Sequence, residues 1–583
     1  MKKQANTRKN TVIGATLRAS LRVMPLLWGD GQVPLAGGGV MAGGARGEKR
    51  GARRARRAAR GFYVRAVMAA VWMLSGKVVQ AQPVLPVAPQ VVSGQASIQV
   101  NGSHMTVTSA PNTAINWKSF SIGAGNSVNF EQQSASSQVF NRVTGTDPSN
   151  ILGSLSSNGK VWLINPNGIL FGKDAQVNVA GLVASTLDIT PQAFLAGQAT
   201  FAGGETRLVN EGNIRALGGG VYLIGAAVTN TGRVSAEGAA AVLAAGHTVS
   251  IANIDTPNVY LQVDAARVEG VSSQVNNSGV ISAGAGRAIL QAGVVNQAGL
   301  VQANRLEAGG KGGEVWLLAS ERVNLGAGSE TQAKGDAGGG SVLVGGDYQG
   351  KGVLPHAQVT YMDPTAVIDA SAQTQGAGGR VVLWSDQATG FFGRINAQGA
   401  GTGSGGEVET SSHENLTANG QVRTNGGKLG GAAGNWLLDP ADVVIASTTS
   451  NETLSGATWT PTAATGTINV ASINSALSSG SNVTVVTSGA SGGLGNITVN
   501  ASISKTAGSD ATLALRADNN LFVNAPIASS VGALNVTLAA GLSSNGMVSV
   551  SSPITTNGGN VSITAGTTLS GGAISVGSIA TNG

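Results

Sequence analysis

The 583 residues contain no cysteine, which excludes disulfide scaffolds, cysteine-ligated zinc and thiol nucleophiles together. Aromatic residues are only 4% of the chain and charged residues 11%, less than half of the roughly 25% charge usual in a soluble globular protein. Apolar content is near normal at 42%, so the chain can bury a core, and that core must be aliphatic. Long hydrophobic runs are missing as well. The nine apolar residues Ala66 to Leu74 would span ~14 Å as a helix, against a hydrocarbon core of ~30 Å, so no transmembrane helix is expected in the mature chain. Basic charge is lacking where nucleic-acid binding would need it. Residues 1 to 81 hold 16 Lys/Arg and 2 Asp/Glu, which leaves 20 against 27, a net of −7, for residues 82 to 583. The overall +7 belongs to the leader, and a nucleic-acid partner is not expected.

That leader has the order of a secretion signal. A basic stretch, GEKRGARRARRAARGFYVR (Gly47 to Arg65), precedes the short apolar run AVMAAVWML, and Val79-Gln80-Ala81 places small or apolar residues at −3 and −1. Signal peptidase requires this pattern, and cleavage is expected between Ala81 and Gln82.

What remains is abundant glycine, 87 residues, and short β-branched runs bounded by Gly, Asn, Asp or Ser. Examples are MTVT (Met105 to Thr108) and KVWLIN (Lys160 to Asn165). These are strand and turn signals, and no convincing amphipathic helix stands out; Ala-rich AEGAAAVLAAG (Ala236 to Gly246) suits a strand equally well. Repetition organises the runs. A unit V-N-x-x-G-x-[VI]-x-A, sometimes short by one residue, recurs as VNEGNIRA (Val209 to Ala216), TNTGRVSA (Thr229 to Ala236), VNNSGVISA (Val275 to Ala283) and VNQAGLVQA (Val295 to Ala303). Its glycines 212 and 232, and again 279 and 299, are 20 residues apart. A second motif, GG-x-V, ends at Val315, Val342, Val381 and Val408, spaced 27, 39 and 27. A period near 20 that tolerates insertions is the mark of a solenoid, and a β-sandwich array would instead repeat at ~100 residues. The expected fold is all-β: a right-handed parallel β-helix with a capped N-terminal domain.

Residues 115 to 188 carry a family resemblance. Asn116-Trp117 with Phe120, Asn141-Arg142-Val143, the stretch SLSSNGKV ending at Val161, Asn165-Pro166-Asn167-Gly168-Ile169 with Phe171-Gly172, and Gly181 to Thr186 (GLVAST) follow one another as in the secretion domain of two-partner secretion exoproteins, the filamentous haemagglutinin type. The family's second, upstream asparagine-proline motif has no evident counterpart. Asn165-Pro166-Asn167-Gly168 is in itself a strong turn, because Pro fixes φ, Asn caps its own backbone and Gly accepts positive φ. The resemblance implies that Asn165 to Ile169 form a secretion motif. It also implies export through a TpsB-type outer-membrane β-barrel transporter to the outside or surface of a Gram-negative cell. Strand addition to an exposed sheet edge would be the natural mode of recognition.

Four segments are expected: 1–81 as an extended signal peptide, 82–250 as the secretion domain, 251–435 as β-helix repeats and 436–583 as Ser/Thr/Asn/Gly-rich repeats. The last has seven charged residues among 148 and no evident terminal cap, so a longer protein is expected. Site chemistry is thin. His104, His247, His356 and His413 lack metal-ligand spacing. Gly401, Gly403 and Gly406 satisfy G-x-G-x-x-G without the surrounding βαβ unit, and Asp336 and Asp347 each stand alone among glycines. No cofactor, metal or enzymatic activity is expected. The favoured function is an adhesin that binds a host or neighbouring cell-surface receptor or glycan. A stalk for a contact-dependent growth inhibition toxin is the alternative, and a haem-acquisition or polysaccharide-active β-helix is less favoured.

Overall fold

The computed structural model describes residues 83–582, apart from 255–258, 266–271, 450–451, 456–457, 462–464, 490–492 and 567–571. The signal segment and the Ala81–Gln82 cleavage lie outside the described residues. Within the unit Gln82–Gly583, short strands stack in parallel as a right-handed parallel β-helix. One rung lays down Lys160–Ile164, Ile169–Phe171 and Gln176–Val179. The next rung places Gly181–Ser185, Arg207–Asn210 and Asn213–Ala216 on them, all in parallel register. The first two strands of these rungs belong to a 31-stranded sheet, and the third belongs to a 13-stranded sheet that ends at Gln421–Arg423, among the described residues.

Alternation drives this arrangement. Each strand points every second residue inward, where aliphatic side chains stack on their equivalents in the rungs above and below. Val315, Val342, Val381 and Val408 form one such column, in register and buried. The paired glycines before them have a steric cause. A Cβ on Gly312, Gly339, Gly378 or Gly405 would lie 2.2, 1.8, 2.1 or 1.7 Å from a backbone oxygen of the same stack. The rungs therefore turn this corner with backbone against backbone, where only glycine fits.

The solenoid begins with antiparallel pairing. Gln90–Ser93 runs against Thr113–Trp117, and Ala96–Asn101 against His104–Ser109, before parallel stacking takes over at Ser127–Glu131. This is the N-terminal cap the sequence leads one to expect. The main sheet then continues through residues 250 and 435, the positions where the sequence texture changes. Ala240–Ala245 pairs with Arg287–Gln297, and Glu407–Thr410 with Asn435–Leu438. The Ala-rich segment is the buried strand Ala240–Ala245.

Insertions leave the corners and return to cover the outer face. Helix Pro191–Leu195 and the antiparallel strands Thr200–Ala202, Thr248–Ala252 and Tyr260–Asp264 bury a second apolar cluster around Phe140, Trp162, Phe194 and Phe201. Phe194 stacks on Phe140 at 4.9 Å between ring centres. A strap, residues 345–358, lies against Trp384. The hairpin of Glu452–Ser455 and Thr458–Pro461 brings Trp459 onto Tyr361 and Phe392, where Arg322 Nη1 donates to the Trp459 carbonyl at 3.3 Å.

A second helix also departs from the sequence expectation. Val470–Ser478 is an α-helix, capped by Asn469, whose side chain accepts from the Ala471 N–H. Val470, Ile473, Ala476 and Leu477 supply its buried face, an apolar pattern too short and too Ser-rich to stand out by propensity. It fills the core between the end of the 13-stranded sheet at Gln421–Arg423 and the start of a four-stranded sheet at Ile503–Lys505.

Candidate functional site

Asn165 ends strand Lys160–Ile164 and is fully buried. Its backbone N–H donates to Ser185 O at 2.9 Å. Its side-chain amide donates to Asp147 O at 3.0 Å and Ser149 Oγ at 2.9 Å. Oδ1 accepts from both the backbone and the side-chain N–H of Asn167, at 3.0 and 2.9 Å. The turn closes with Gly168 N–H donating to Asn165 O at 3.1 Å. Its positive φ, 118°, falls on Gly168 and not on Asn167. This is the hydrogen-bond pattern of a β-turn with Pro second and Gly fourth.

Asn167 is half-exposed and reaches down, its amide donating to Gly145 O at 2.9 Å. Pro166 O accepts from Thr206 Oγ1 at 2.7 Å, and Gly168 O from Ser149 N–H at 2.9 Å. Ile169 is buried in the core. The five motif residues thus tie three rungs together, and the same turn forms one wall of an open groove of about 790 Å³. Leu170, Val209 and Thr229 stack in register along its floor, with Glu205, Arg207 and Glu211 at its sides.

The neighbouring motifs converge on this corner of the fold. Asn141 of the N-R-V element is buried, accepts from Trp117 Nε1 at 3.0 Å and donates to Trp162 O at 3.1 Å. Arg142 points the other way and grips Asp188 through two hydrogen bonds of 2.8 and 2.6 Å. That hydrogen-bonded carboxylate raises the guanidinium pKa further above its ordinary value. Thr186 Oγ1 donates to Thr206 O at 2.8 Å. Sequence reading grouped these motifs by order and missed the Arg142–Asp188 pair. Its signal was one charge on strand Gln138–Val143 and another just past strand Gly181–Ser185, in segments otherwise free of charge.

The four histidines are dispersed. His104 Nδ1 lies 2.6 Å from Ser127 Oγ, and His356 Nδ1 lies 3.2 Å from Asp386 Oδ1. No cluster of three or more His, Asp or Glu suited to a metal occurs among the described residues. Sequence reading overlooked two carboxyls: Glu409, buried under the strap, and Asp439, half-buried. Burial pushes Glu409 up to about 7 and Asp439 up to about 6, and Glu409 Oε2 accepts from the Gln349 N–H of the strap at 2.9 Å.

Comparison with known proteins agrees with this geometry. The family model described as TPS secretion domain matches residues 82–317. The crystal structure of the HMW1 secretion domain from Haemophilus influenzae is 32% identical, with a TM-score of 0.51, and the match covers 61% of this chain and 100% of that one. The chain belongs to the two-partner secretion exoproteins. A TPS domain implies a TpsB-type outer-membrane transporter as partner and passage through the outer membrane. Two curated relatives of this exoprotein, each named heme/hemopexin-binding protein, also come from Haemophilus influenzae. One, from strain Rd, is 36% identical over 216 residues, which is 34% of this chain and 23% of the relative. The other is 40% identical over 117 residues, 20% of this chain and 13% of the relative. The chain spans less than a quarter of the length of either.

Proposed function

We propose that the exoprotein is an adhesive rod without catalytic activity, and that its transporter reads the groove beside Asn165–Ile169 on the way out. The observation that carries the export part is the division of labour inside the motif. Asn165 is buried and wholly engaged, whereas Asn167 and Leu170 are half-exposed and line a groove whose floor is a regular strand array. A motif that served stability alone would have no need of an open face. The adhesive reading rests on the regular, charge-poor outer surface of a solenoid, which offers a long contact area. A stalk for a toxin module remains the alternative use of the same rod. The names of the curated relatives favour one further reading, in which the chain binds haem or a haem carrier.

The test is transporter-dependent release into the medium of a Gram-negative host. Wild type is compared with Asn167→Ala and with Leu170→Arg, a charge placed on the groove floor. Release should require the transporter, and both variants should be retained while purifying as folded protein. Release without the transporter would overturn the export reading, and normal release of both variants would remove the groove from it. Binding of the released protein to epithelial cells, measured beside retention on haemin-agarose, separates the adhesive reading from the haem reading.

A further inference from the structure

A single outward-facing column runs the length of the main sheet. In register it passes through Phe140, Trp162, Val183, Tyr222, Val242, Ile289, Trp316, Leu343, Val382, Glu409, Leu437, Thr484, Ala514, Thr537 and Ser562. Its chemistry changes once. From Phe140 to Val382 the positions are mostly large and apolar, and insertions cover them: the helix and three antiparallel strands over Trp162 and Tyr222, the strap over Leu343 and Val382. From Thr484 onward the side chains are small and hydroxylated or methyl. They are half-exposed or exposed, and no described element lies over them.

The column beside it follows the same change. Asn435, Asn482, Thr512, Asn535 and Asn560 succeed one another, joined by Thr512 N–H to Asn482 Oδ1 at 2.9 Å and Asn560 N–H to Asn535 Oδ1 at 3.0 Å. Arg516 is the one charged side chain on these four strands, at the margin. After Asp518 no charged residue follows through Gly583.

We propose that this bare stripe, centred on Thr484, Ala514 and Thr537, is where the exoprotein associates side by side with a second copy of itself. Three features select that occupant. Hydroxyls and amides each donate and accept, so two copies of the stripe satisfy each other, whereas a strongly charged partner would find no counter-charge. The stripe repeats at the rung spacing of ~4.8 Å, and a second parallel β-helix presents the same repeat along its whole contact. The stripe carries no charged side chain except Arg516 at its margin, so like-charge repulsion between copies is least there.

The size of the stripe sets the strength. Four rungs of strands five to seven residues long cover roughly 400 Å² per copy, below the ~1,200 Å² total of a stable interface. The association is therefore reversible and grows with local concentration, as on a crowded cell surface.

Sedimentation velocity of the secreted mature chain, from micromolar to near-millimolar, tests this. Wild type should approach twice the monomer mass as concentration rises. A double variant Thr484→Lys/Thr537→Lys should stay monomeric, as should Thr484→Glu/Thr537→Glu, and mixing the two should restore the doubled mass, which misfolded variants cannot do. Asn396→Lys, on the other sheet, should associate like wild type. A monomeric wild type, persistent association of the Lys variant, loss of association in Asn396→Lys, or a Lys/Glu mixture that stays monomeric would each overturn the proposal. Capture of the chain by an insoluble polysaccharide without any rise in mass would assign the stripe to a glycan instead, and overturn it too.

Discussion

Asn210 donates its side-chain amide to Asn230 Oδ1 at 2.7 Å inside the solenoid, and the contact is one link of a ladder. Asn230 donates to Asn277 Oδ1 at 2.8 Å, and Asn277 to Gln297 Oε1 at 2.7 Å. All four side chains are buried. The ladder stops where Leu325 follows Gln297 in register. Replacing Asn230 by Ala removes the middle of the chain and strands a buried donor on Asn210 and a buried acceptor on Asn277. The expected cost is about 2–4 kcal/mol, read as a lower urea midpoint.

The same ladder shows what the sequence made legible and what it hid. The repeat was visible, but aligning it on V-N placed Asn210 and Asn230 opposite Asn276 and Asn296. In the fold Leu208, Val228, Val275 and Val295 are equivalent, so the true unit is an aliphatic residue, any residue, Asn or Gln, any residue, then Gly. It has no deletion. Asn276 and Asn296 point outward and bond each other at 2.8 Å. Sequence reading chose the commoner letter pair because inward and outward Asn look identical without register. The β-helix, its N-terminal cap and the Asn165–Ile169 turn could be read from local chemistry. The covering insertions, the Val470–Ser478 helix and the buried Glu409 could not, because each depends on which distant rung it meets.

Within the secretion motif, Asn165→Ala and Asn167→Ala should separate. The first loses two donated and two accepted side-chain bonds in a buried site, and should cost about 2–3 kcal/mol. The second loses contacts at a half-exposed site and should cost about 1 kcal/mol. Urea midpoints of the purified secretion domain's parent chain check the order. If Asn167→Ala proves the more destabilising, the assignment of Asn165 as the structural member is wrong.

The corner glycines make a sharper pair. A methyl on Gly405 would sit 1.7 Å from Thr424 O, whereas Gly430, at φ 93°, has nothing within 4 Å of an added Cβ. Gly405→Ala should destabilise by about 3 kcal/mol or more through overpacking, and Gly430→Ala by about 1–2 kcal/mol through conformational strain alone. Thermal or urea unfolding of both variants should show this ranking.

Glu409 gives the strap region a pH dependence. A carboxyl raised from 4.5 to about 7 on folding holds its proton more tightly in the native chain than in the unfolded one. The stability it contributes is therefore full below pH 4.5 and is lost as pH rises through 7. Asp439, raised to about 6, acts in the same direction. Glu409→Gln should narrow the stability difference between pH 5 and pH 8 by about 1–3 kcal/mol. An unchanged difference in the Gln variant would place the titration elsewhere.

Because the strands of successive rungs pair along the stacking axis, a pull on that axis loads the hydrogen bonds in series. Rungs should peel away one at a time instead of yielding together. Freeing the 27 residues from Val315 to Val342 would release roughly 90 Å of extended chain. Ties that skip rungs, such as Arg322 to the Trp459 carbonyl across 137 positions, would then break as the taller peaks in a train of small ones. A chain of this build lengthens under drag before it lets go.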